Sequence, residues 1–491
     1  MDKRKYFGTD GVRGRVGVHP MVPDFIVKLG YGAGIVLARG SKKHPTFLIG
    51  RDTRQSGEML QNALTTGLLA SGATVIDLGV MTTPGIAFMV NKLNADAGVV
   101  ISASHNPVDE NGIKFFNNEG MKLNEVIELA IEALIYNEID LSAMHAGDFG
   151  RRVDGSDMRE LYIEDLVNEH VDLKLDDLTL VLDCANGAAS WYAPEAFSRL
   201  GARVVAINAS PTGMNINNKA GSEHVRSHPE ELATLIDQYN ANFGVVFDGD
   251  ADRVIFVDEK GNLVDGDHML AIMADFLQKR DMLSGNTVVS TDMANGALQG
   301  YFEKHGINFI ETPVGDKYVM EELVKLQQND TERLKFGLGG EQSGHIILMD
   351  GDHKTGDGIR SALYIMHAYL EAGIGSLSAM AENINKYPQL VASANVESKP
   401  DLETIVPLKE AVLAMITELP GLTRKSLRYS GTEPKFRVML EADKRHTAQE
   451  LAEKAWQICR IVQAASGTEK SAIIEVLNVT RGGLMYPANK E

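Results

Sequence analysis

Cysteine is nearly absent from this sequence of 491 residues. Cys184 and Cys459 are the two present and lie far apart, which excludes a disulfide scaffold and a cysteine-rich zinc site. No apolar stretch approaches the ~18–20 residues that a membrane span requires. The charged N-terminus turns directly to glycine and lacks the apolar core of a secretory signal. These absences predict a cytoplasmic protein with no membrane partner.

Positive charge is also in short supply. Lys and Arg number 48 against 67 Asp and Glu, which gives a formal net charge of −19. A surface this acidic resists nonspecific binding to a nucleic-acid backbone. Hydrophobic residues make up 44% of the chain, which is enough to bury several cores. We therefore predict a globular protein without a nucleic-acid partner, in which any anionic ligand meets a local cluster of cations.

Short apolar runs alternate with amphipathic segments over the first 370 residues. The runs are typical of buried strands and the segments between them have helical spacing. This alternation predicts three similar α/β domains with mixed or parallel sheets, covered by helices on both faces. Near residues 385–395 the pattern changes to a smaller C-terminal α+β domain. The predicted domains are residues 1–155, 156–258, 259–375 and 376–491.

The segment GVVISASHNPVDENGIKFF (98–116) places a polar loop at the end of a buried strand. Ligands of open α/β sheets bind beyond the carboxyl ends of strands. Ser104 is therefore a candidate nucleophile or phosphate carrier, with His105 beside it. The chain could fold back to bring Lys114, ten residues later, to this loop as a proton-handling or charge-stabilising group. Ordinary turn chemistry is the commoner explanation of a Ser-His pair, and the segment lacks the G-x-S-x-G motif of a hydrolase.

Three carboxylates follow another strand in DGDADR (248–253). In an extended backbone, Asp248, Asp250 and Asp252 would lie on one side. A set made of carboxylates alone suits a hard cation such as Mg²⁺, and Arg253 could hold a phosphate oxygen beside it. The sequence of this segment also matches part of an EF-hand loop. However, Arg253 replaces the required glycine, and the flanking residues are typical of strands. A solvated acidic loop is the third interpretation.

Two polar clusters lie further along the chain. GEQSGH carries Glu341, Ser343 and His345 in a glycine-rich turn, where a carboxylate and a hydroxyl could grip sugar hydroxyls; an ordinary hairpin is the alternative. RYSGTEPKFR combines hydroxyls, backbone N–H groups and two guanidinium groups, which is the composition of an anion-binding nest, and a surface turn is its alternative. The candidate residues of this nest are Arg428, Ser430, Gly431, Thr432 and Arg437.

Two N-terminal segments also carry arginines near glycines. FGTDGVRG contains Arg13, and GRDTRQSG follows a strand and opens a helix with Arg51 and Arg54 near its positive end. Either segment could contact phosphate. Packing is the favoured interpretation for Arg51 and Arg54.

Taken in order, these motifs resemble those of the α-D-phosphohexomutases. The resemblance rests on FGTDGVRG, ISASHNP with NGIKFF, DGDADR, GEQSGH and RYSGTEPKFRV, and it covers the chain up to about residue 465. It implies four domains around a central cleft. Gln342 favours the glucosamine branch of the family, because other branches more often have Met there. Ala220 departs from a Cys usual in that branch, and Lys317 stands where Arg is common.

The resemblance also implies roles for these residues. Ser104 would carry a covalent phosphoryl group and, with Asp248, Asp250 and Asp252, hold one Mg²⁺ per chain. The reacting centre would be lined by Arg13, His105, Lys114 and Arg253, with Lys114 or His345 assisting proton removal. Glu341 and Ser343 would contact the sugar, and the nest of Arg428, Ser430, Gly431, Thr432 and Arg437 would bind the phosphate that is not reacting.

The implied activity is the interconversion of glucosamine 6-phosphate and glucosamine 1-phosphate through a 1,6-bisphosphate, as a step towards cell-wall precursors. The protein would act on small hexosamine phosphates as a monomer or homodimer. Three alternatives stay open at this point. They are a phosphomannomutase/phosphoglucomutase, a metal-dependent phosphatase that uses the same Asp cluster, and a non-enzymatic Ca²⁺-binding protein.

Overall fold

The computed structural model describes residues 4–8, 10–38, 44–142, 144–328, 335–430, 434–469 and 471–486. These residues form four β-sheets with helices packed against them. The predicted fold class is confirmed, because three mixed sheets with helices are followed by one antiparallel sheet. In the part of the chain that the structure describes, no helix is both long and apolar enough to cross a bilayer.

The first unit is a six-stranded mixed sheet. Its elements are β1 (Val12–Arg15), α1 (Pro23–Leu37), β2 (Thr46–Arg51), α2 (Ser56–Ala70), β3 (Thr74–Val80), α3 (Thr83–Lys92), β4 (Ala97–Ile101), β5 (Glu110–Phe116), α4 (Glu125–Ile135) and β6 (Arg152–Asp154). The strand order is β1-β5-β4-β2-β3-β6, and β5 runs antiparallel to β4. Strand β4 (AGVVI) is buried along its whole length, as an apolar strand between two helical layers should be.

The second unit repeats this plan in a five-stranded sheet. Its elements are α5 (Glu160–Glu169), β7 (Thr179–Asp183), α6 (Ala189–Arg199), β8 (Arg203–Ile207), α7 (Ser222–Ser227), α8 (Pro229–Tyr239), β9 (Phe243–Phe247), β10 (Val254–Val257) and β11 (Leu263–Val264). Strands β7, β8 and β9 are parallel, and β10 reverses beside β9. Strand β11 pairs antiparallel with β10 in a hairpin that turns through Gly261.

The third unit is a four-stranded sheet with the order β13-β12-β14-β15. Its elements are α9 (Gly266–Lys279), β12 (Leu283–Thr291), α10 (Ala297–Lys304), β13 (Asn308–Thr312), α11 (Asp316–Gln328), β14 (Phe336–Gly340), β15 (Ile346–Met349), α12 (Gly358–Ala372) and α13 (Leu377–Glu382). Helix α9 begins at a capping box in which Asp265 and His268 satisfy each other's backbone N–H groups. Strand β15 is antiparallel to β14.

The fourth unit is a five-stranded antiparallel sheet with the order β17-β18-β16-β19-β20. Its elements are β16 (Gln389–Asn395), α14 (Val406–Glu418), β17 (Leu422–Tyr429), β18 (Lys435–Ala442), α15 (Ala448–Ala465), β19 (Ile474–Asn478) and β20 (Leu484–Met485). The tail lies beyond the part of the chain that the family resemblance covers, and the structure pairs its strand β19 with β16. The tail also touches the second unit, because Gly483 N donates to Arg226 O at 2.8 Å.

The hydrophobic cores divide the molecule unequally. One continuous cluster reaches from Leu48 in the first sheet through the second and third units to Ile384. The fourth sheet has its own separate core, which contains Leu390 and Val438. The fourth unit therefore shares no continuous apolar core with the second and third units among the described residues.

The three α/β units share one topological feature that positions the site. In each, a buried parallel strand is followed by an antiparallel neighbour: β4 by β5, β9 by β10 and β14 by β15. The loop at each reversal carries one of the motifs singled out in the sequence. Since the fourth motif also occupies a hairpin loop, between β17 and β18, all four lie at strand reversals.

Candidate active site

Ser104 lies just past the end of β4, in a strained and buried position. Its φ of 53° is in the left-handed region, which is uncommon for serine and typical of functional loops. The residue is 3% exposed. Its backbone N–H donates to Ser102 Oγ at 2.9 Å, and its own Oγ donates to Asp248 Oδ2 at 2.5 Å. The structure therefore brings the predicted carrier hydroxyl to the predicted metal site.

The Ser104 loop is held by side chains from two units. Arg54 donates from NH2 to the carbonyl oxygens of Ser104 and Asn106 at 3.2 and 2.6 Å. Asn217, from the second unit, donates to the same two oxygens at 2.8 and 3.0 Å. Arg54 is itself paired with buried Asp52. The sequence predicted a packing role for Arg54, and in the structure Arg54 holds the backbone of this loop.

The three carboxylates of DGDADR converge, although not for the reason that the sequence suggested. The segment is a turn after β9 with Ala251 at φ 59°, so the prediction of an extended backbone is wrong. The turn brings one carboxylate oxygen each of Asp248, Asp250 and Asp252 within 4.8 Å of one another. All three residues are buried. Burial, together with Asp252 and Asp250, raises the pKa of Asp248 well above its usual range.

The donor set fits a hard divalent cation. Oδ1 of Asp250 and Oδ1 of Asp252 are buried, and neither has a hydrogen-bond partner within the described ranges. Buried carboxylate oxygens left unpaired are costly, and a cation would satisfy them while relieving the mutual repulsion. The three carboxylates and Ser104 Oγ are therefore the residues that could hold such an ion.

Lys114, on β5, lies at the centre of three carboxylates. Its Nζ is 2.8 Å from Asp250 Oδ2, 3.0 Å from Asp10 Oδ2 and 3.4 Å from Asp252 Oδ2. Burial lowers the pKa of Lys114, but Asp10, Asp250 and Asp252 outweigh it and raise the pKa well above its ordinary value. The ammonium group is therefore charged and balances part of the acidic cluster.

His105 lies between Ser104 and Arg253. Its Nδ1 is 3.3 Å from Ser104 Oγ and 3.1 Å from Arg253 NH1. Burial and the charge of Arg253 lower the pKa of His105 to about 4. The ring is therefore neutral near pH 7 and can accept a hydrogen bond from Arg253. Arg13, on β1, has its NH2 3.3 Å from Asp10 Oδ2, the same carboxylate oxygen that Lys114 contacts.

The loop after β14 brings the predicted sugar-contact residues to the same centre. His345 Nδ1 lies 3.7 Å from Asp252 Oδ2, and its Nε2 lies 3.3 Å from Asp316 Oδ2. Burial lowers the pKa of His345, but the two carboxylates raise it above its ordinary value. Glu341 and Ser343 are half-buried on this loop. Ser343 Oγ has no hydrogen-bond partner among the residues described, which suits a hydroxyl that binds a ligand.

The predicted anion nest lies on the hairpin of the fourth sheet. Arg428 on β17 is directly opposite Arg437 on β18. Like charges placed opposite one another destabilise a sheet unless an anion compensates them. Ser430 follows β17, and its N–H donates to Lys435 O at 2.8 Å. Gly431 and Thr432 lie outside the described residues.

Sequence reasoning missed a chain of ion pairs that links the first and third units. Lys122 Nζ lies 2.6 Å from Asp10 Oδ1 and 2.5 Å from Asp316 Oδ2. Asp10 belongs to the FGTDGVRG segment, where Arg13 was singled out instead. The available signal was the position of Asp316 just past the carboxyl end of β13, where ligands of open α/β sheets bind.

Comparison with known proteins identifies the relatives of this chain. Four models of the phosphoglucomutase/phosphomannomutase family match in chain order: alpha/beta/alpha domain I over residues 4–141, domain II over 160–261, domain III over 265–387 and the C-terminal domain over 382–457. A phosphoglucosamine mutase of Methylobacillus flagellatus is 44% identical over 468 residues, which are 94% of this chain and 98% of that protein.

Solved structures show the same fold. A phosphoglucomutase/phosphomannomutase family protein of Burkholderia thailandensis has a TM-score of 0.71 at 23% identity, and the match covers 96% of this chain and all of that one (100%). N-acetylphosphoglucosamine mutase of Aspergillus fumigatus, solved in complex with GlcNAc-6P and magnesium, has a TM-score of 0.62 at 17% identity, covering 94% and 96% of the two chains.

Proposed function

The chain belongs to the phosphoglucomutase/phosphomannomutase family, and from this premise we propose that it interconverts glucosamine 6-phosphate and glucosamine 1-phosphate. It is an intramolecular phosphotransferase of the isomerase class, as its full-length relatives named phosphoglucosamine mutase are. The observation that carries the mechanism is the 2.5 Å hydrogen bond from Ser104 Oγ to Asp248. It places the Ser104 hydroxyl against an acidic cluster suited to a cation.

In the proposed reaction, Ser104 carries the phosphoryl group in the resting enzyme. The 1-hydroxyl oxygen of glucosamine 6-phosphate forms a bond to phosphorus as the bond from phosphorus to Ser104 Oγ breaks. The resulting 1,6-bisphosphate then turns end over end in the cleft. Ser104 Oγ forms a bond to the phosphorus of the 6-phosphate as the bond from that phosphorus to the 6-oxygen breaks, and the 6-oxygen takes back the proton that the 1-hydroxyl released. Glucosamine 1-phosphate leaves, and the phosphoenzyme is restored.

We propose that Mg²⁺ is held by the triad of Asp248, Asp250 and Asp252 together with Ser104. The support is the pair of buried, unpartnered carboxylate oxygens within the described ranges. When bound, the ion would neutralise negative charge on the oxygens of the transferring phosphoryl group.

Phosphoryl transfer depends on alignment and charge compensation more than on covalent help. Arg54 and Asn217 hold the carbonyl oxygens of Ser104 and Asn106, so Ser104 Oγ keeps one orientation. Lys114 supplies a permanent positive charge beside the triad. We assign to His345 the proton that the sugar hydroxyl releases, because a neutral imidazole can accept it and Asp252 and Asp316 stabilise the charged ring. The Lys114 ammonium group is already protonated.

The remaining predicted residues would bind the two ends of the substrate. Glu341 and Ser343 would contact the sugar ring, and Arg428, Ser430 and Arg437 would hold the phosphate that is not reacting, together with Gly431 and Thr432. Arg13 and Arg253 would line the reacting centre. The separate core of the fourth unit suits a nest that must accept both ends of the bisphosphate in turn.

The test is an intact-mass measurement followed by a comparison of substrates. The purified protein should carry one phosphate on the peptide that contains Ser104, and it should convert glucosamine phosphates faster than glucose or mannose phosphates. Release of inorganic phosphate without an isomer would instead indicate a phosphatase, and a preference for glucose or mannose would indicate the other branch. The cytoplasmic location, the lack of a nucleic-acid partner and the monomeric or homodimeric state stay predictions.

A further inference from the structure

One side chain of the sugar-contact loop, residues 341–345, is buried at the junction with the fourth unit. Gln342 lies between half-buried Glu341 and Ser343 but is itself 7% exposed. Its Nε2 donates to Asp267 Oδ2 at 2.8 Å and to Gln389 Oε1 at 2.7 Å. Gln389 is the first residue of β16, so the sugar-contact loop is hydrogen-bonded directly to the sheet of the fourth unit.

The same junction holds the connection that leads into the fourth unit. Lys386 is buried, with its Nζ 2.6 Å from Asp265 Oδ2 and 2.9 Å from Asp267 Oδ2. Asn295 Nδ2 donates to Tyr387 O at 3.0 Å, and its Oδ1 accepts from Tyr387 N at 2.9 Å. Residues 386–389 are therefore tied to the third unit by polar side chains, while the apolar cores of the two units stay separate.

Buried polar groups stay paired because an unpaired one carries a desolvation penalty. Any rotation of the fourth unit must therefore either separate Gln342 from Gln389 or move the sugar-contact loop with it. A glutamine amide nitrogen has two N–H donors, which suits a bridge between two acceptors. Methionine has a similar length and no donor, so it could fill the space but could not form the bridge.

We propose that Gln342 is a positioning residue that couples the fourth unit's hold on the non-reacting phosphate to the placement of Glu341 and Ser343 on the sugar. This inference rests on the proposed function. Through this bridge, binding of the remote phosphate would help to orient the sugar at the reacting centre. Enzymes commonly use the binding energy of remote substrate groups in this way. Gln342 itself is assigned no contact with the sugar or the phosphate, because its amide nitrogen donates to Asp267 and Gln389.

The test supplies the sugar and an analogue of the remote phosphate as two separate molecules. Enzyme phosphorylated on Ser104 is mixed with glucosamine, which has no phosphate, and single-turnover transfer to the sugar is followed by mass spectrometry with and without inorganic phosphite. Phosphite occupies the nest in place of the missing phosphate. It should accelerate transfer by the wild type about tenfold or more, within the usual range of coupling between two sites. In the Gln342→Met variant this acceleration should be lost.

A second variant approaches the bridge from the other end. Gln389→Met removes the acceptor in the fourth unit, so it should lose the phosphite acceleration as Gln342→Met does, and the double variant should lose no more than either single change. Thermal unfolding midpoints check that each variant is folded. The inference is overturned if folded Gln342→Met or Gln389→Met keeps the wild-type acceleration, or if the wild type shows none. A wild type without mutase turnover would instead refute the proposed function.

Discussion

Replacing Gly356 by Ala tests how strongly turnover depends on the placement of His345. Gly356 forms an isolated antiparallel bridge with Ile347, and the imidazole ring of His345 packs against it. A Cβ on residue 356 would lie 2.4 Å from His345 Nε2 and 2.6 Å from its Cδ2. The backbone of Gly356 is outside the left-handed region, so alanine adds a methyl group without backbone strain.

The size of the effect follows from these distances. Carbon atoms in contact stay about 3.5–4.0 Å apart, so the ring must retreat by about 1 Å. The shift changes its contacts with Asp252 and Asp316, which lie 3.7 and 3.3 Å away. Misplacement of this order lowers the rate by about 10²-fold, and overpacking lowers the free energy of unfolding by about 1–3 kcal/mol. We therefore expect kcat to fall about a hundredfold in a protein that still folds.

The assay compares Gly356→Ala with Gly351→Ala, a change in the same loop. A Cβ on Gly351 would meet nothing within 4 Å. Steady-state mutase kinetics give kcat and KM, and denaturant unfolding gives stability. If Gly356→Ala had the kcat of Gly351→Ala, the argument that the position of His345 matters for turnover would be refuted.

Three further predictions address the carrier, the metal and a distant histidine. Ser104→Ala should lose mutase turnover and the phosphate adduct while its circular dichroism is unchanged; wild-type turnover would contradict the carrier role. A chelator should abolish turnover and Mg²⁺ should restore it, and Asp250→Asn should need more Mg²⁺ for half-maximal activity; full activity in the chelator would contradict the metal site. Burial lowers the pKa of His353, but Asp165 and Asp350 outweigh it and raise the pKa to about 9. The protonated ring therefore contributes its full stabilisation below about pH 6.5. About 3 kcal/mol of folding stability is lost as the pH rises through about 9. His353→Gln should therefore flatten the fall in the unfolding midpoint between these pH values, and an unchanged profile would contradict the assignment.

The sequence predicted most of the strands, because apolar runs such as AGVVI and FGVVF are long enough to be buried on both faces. It did not reveal the direction of their neighbours. Strand β10 (VIFV) is buried throughout and antiparallel, yet its composition is that of a parallel strand. Strand direction is decided by the length of the connection and by long-range pairing more than by composition.

The site was predictable where its residues are neighbours in sequence. The three carboxylates of DGDADR were found for that reason, although the turn at Ala251, and not an extended strand, brings them together. The hydrogen bonds from Arg54 and Asn217 to the Ser104 loop were not predicted, because they span 50 and 113 positions of the chain. Nothing local distinguishes an arginine that packs a helix from one that holds a catalytic loop.

The C-terminal tail has a consequence for handling the protein. Strand β19 covers one edge of β16, whose sequence QLVASAN has no charged side chain. A protease that cut between α15 and β19 would uncover a row of unpaired N–H and C=O groups on an uncharged strand. Such an edge recruits strands from other molecules. Truncated preparations should therefore form aggregates before they lose helical signal, and an affinity tag is safer at the other end of the polypeptide.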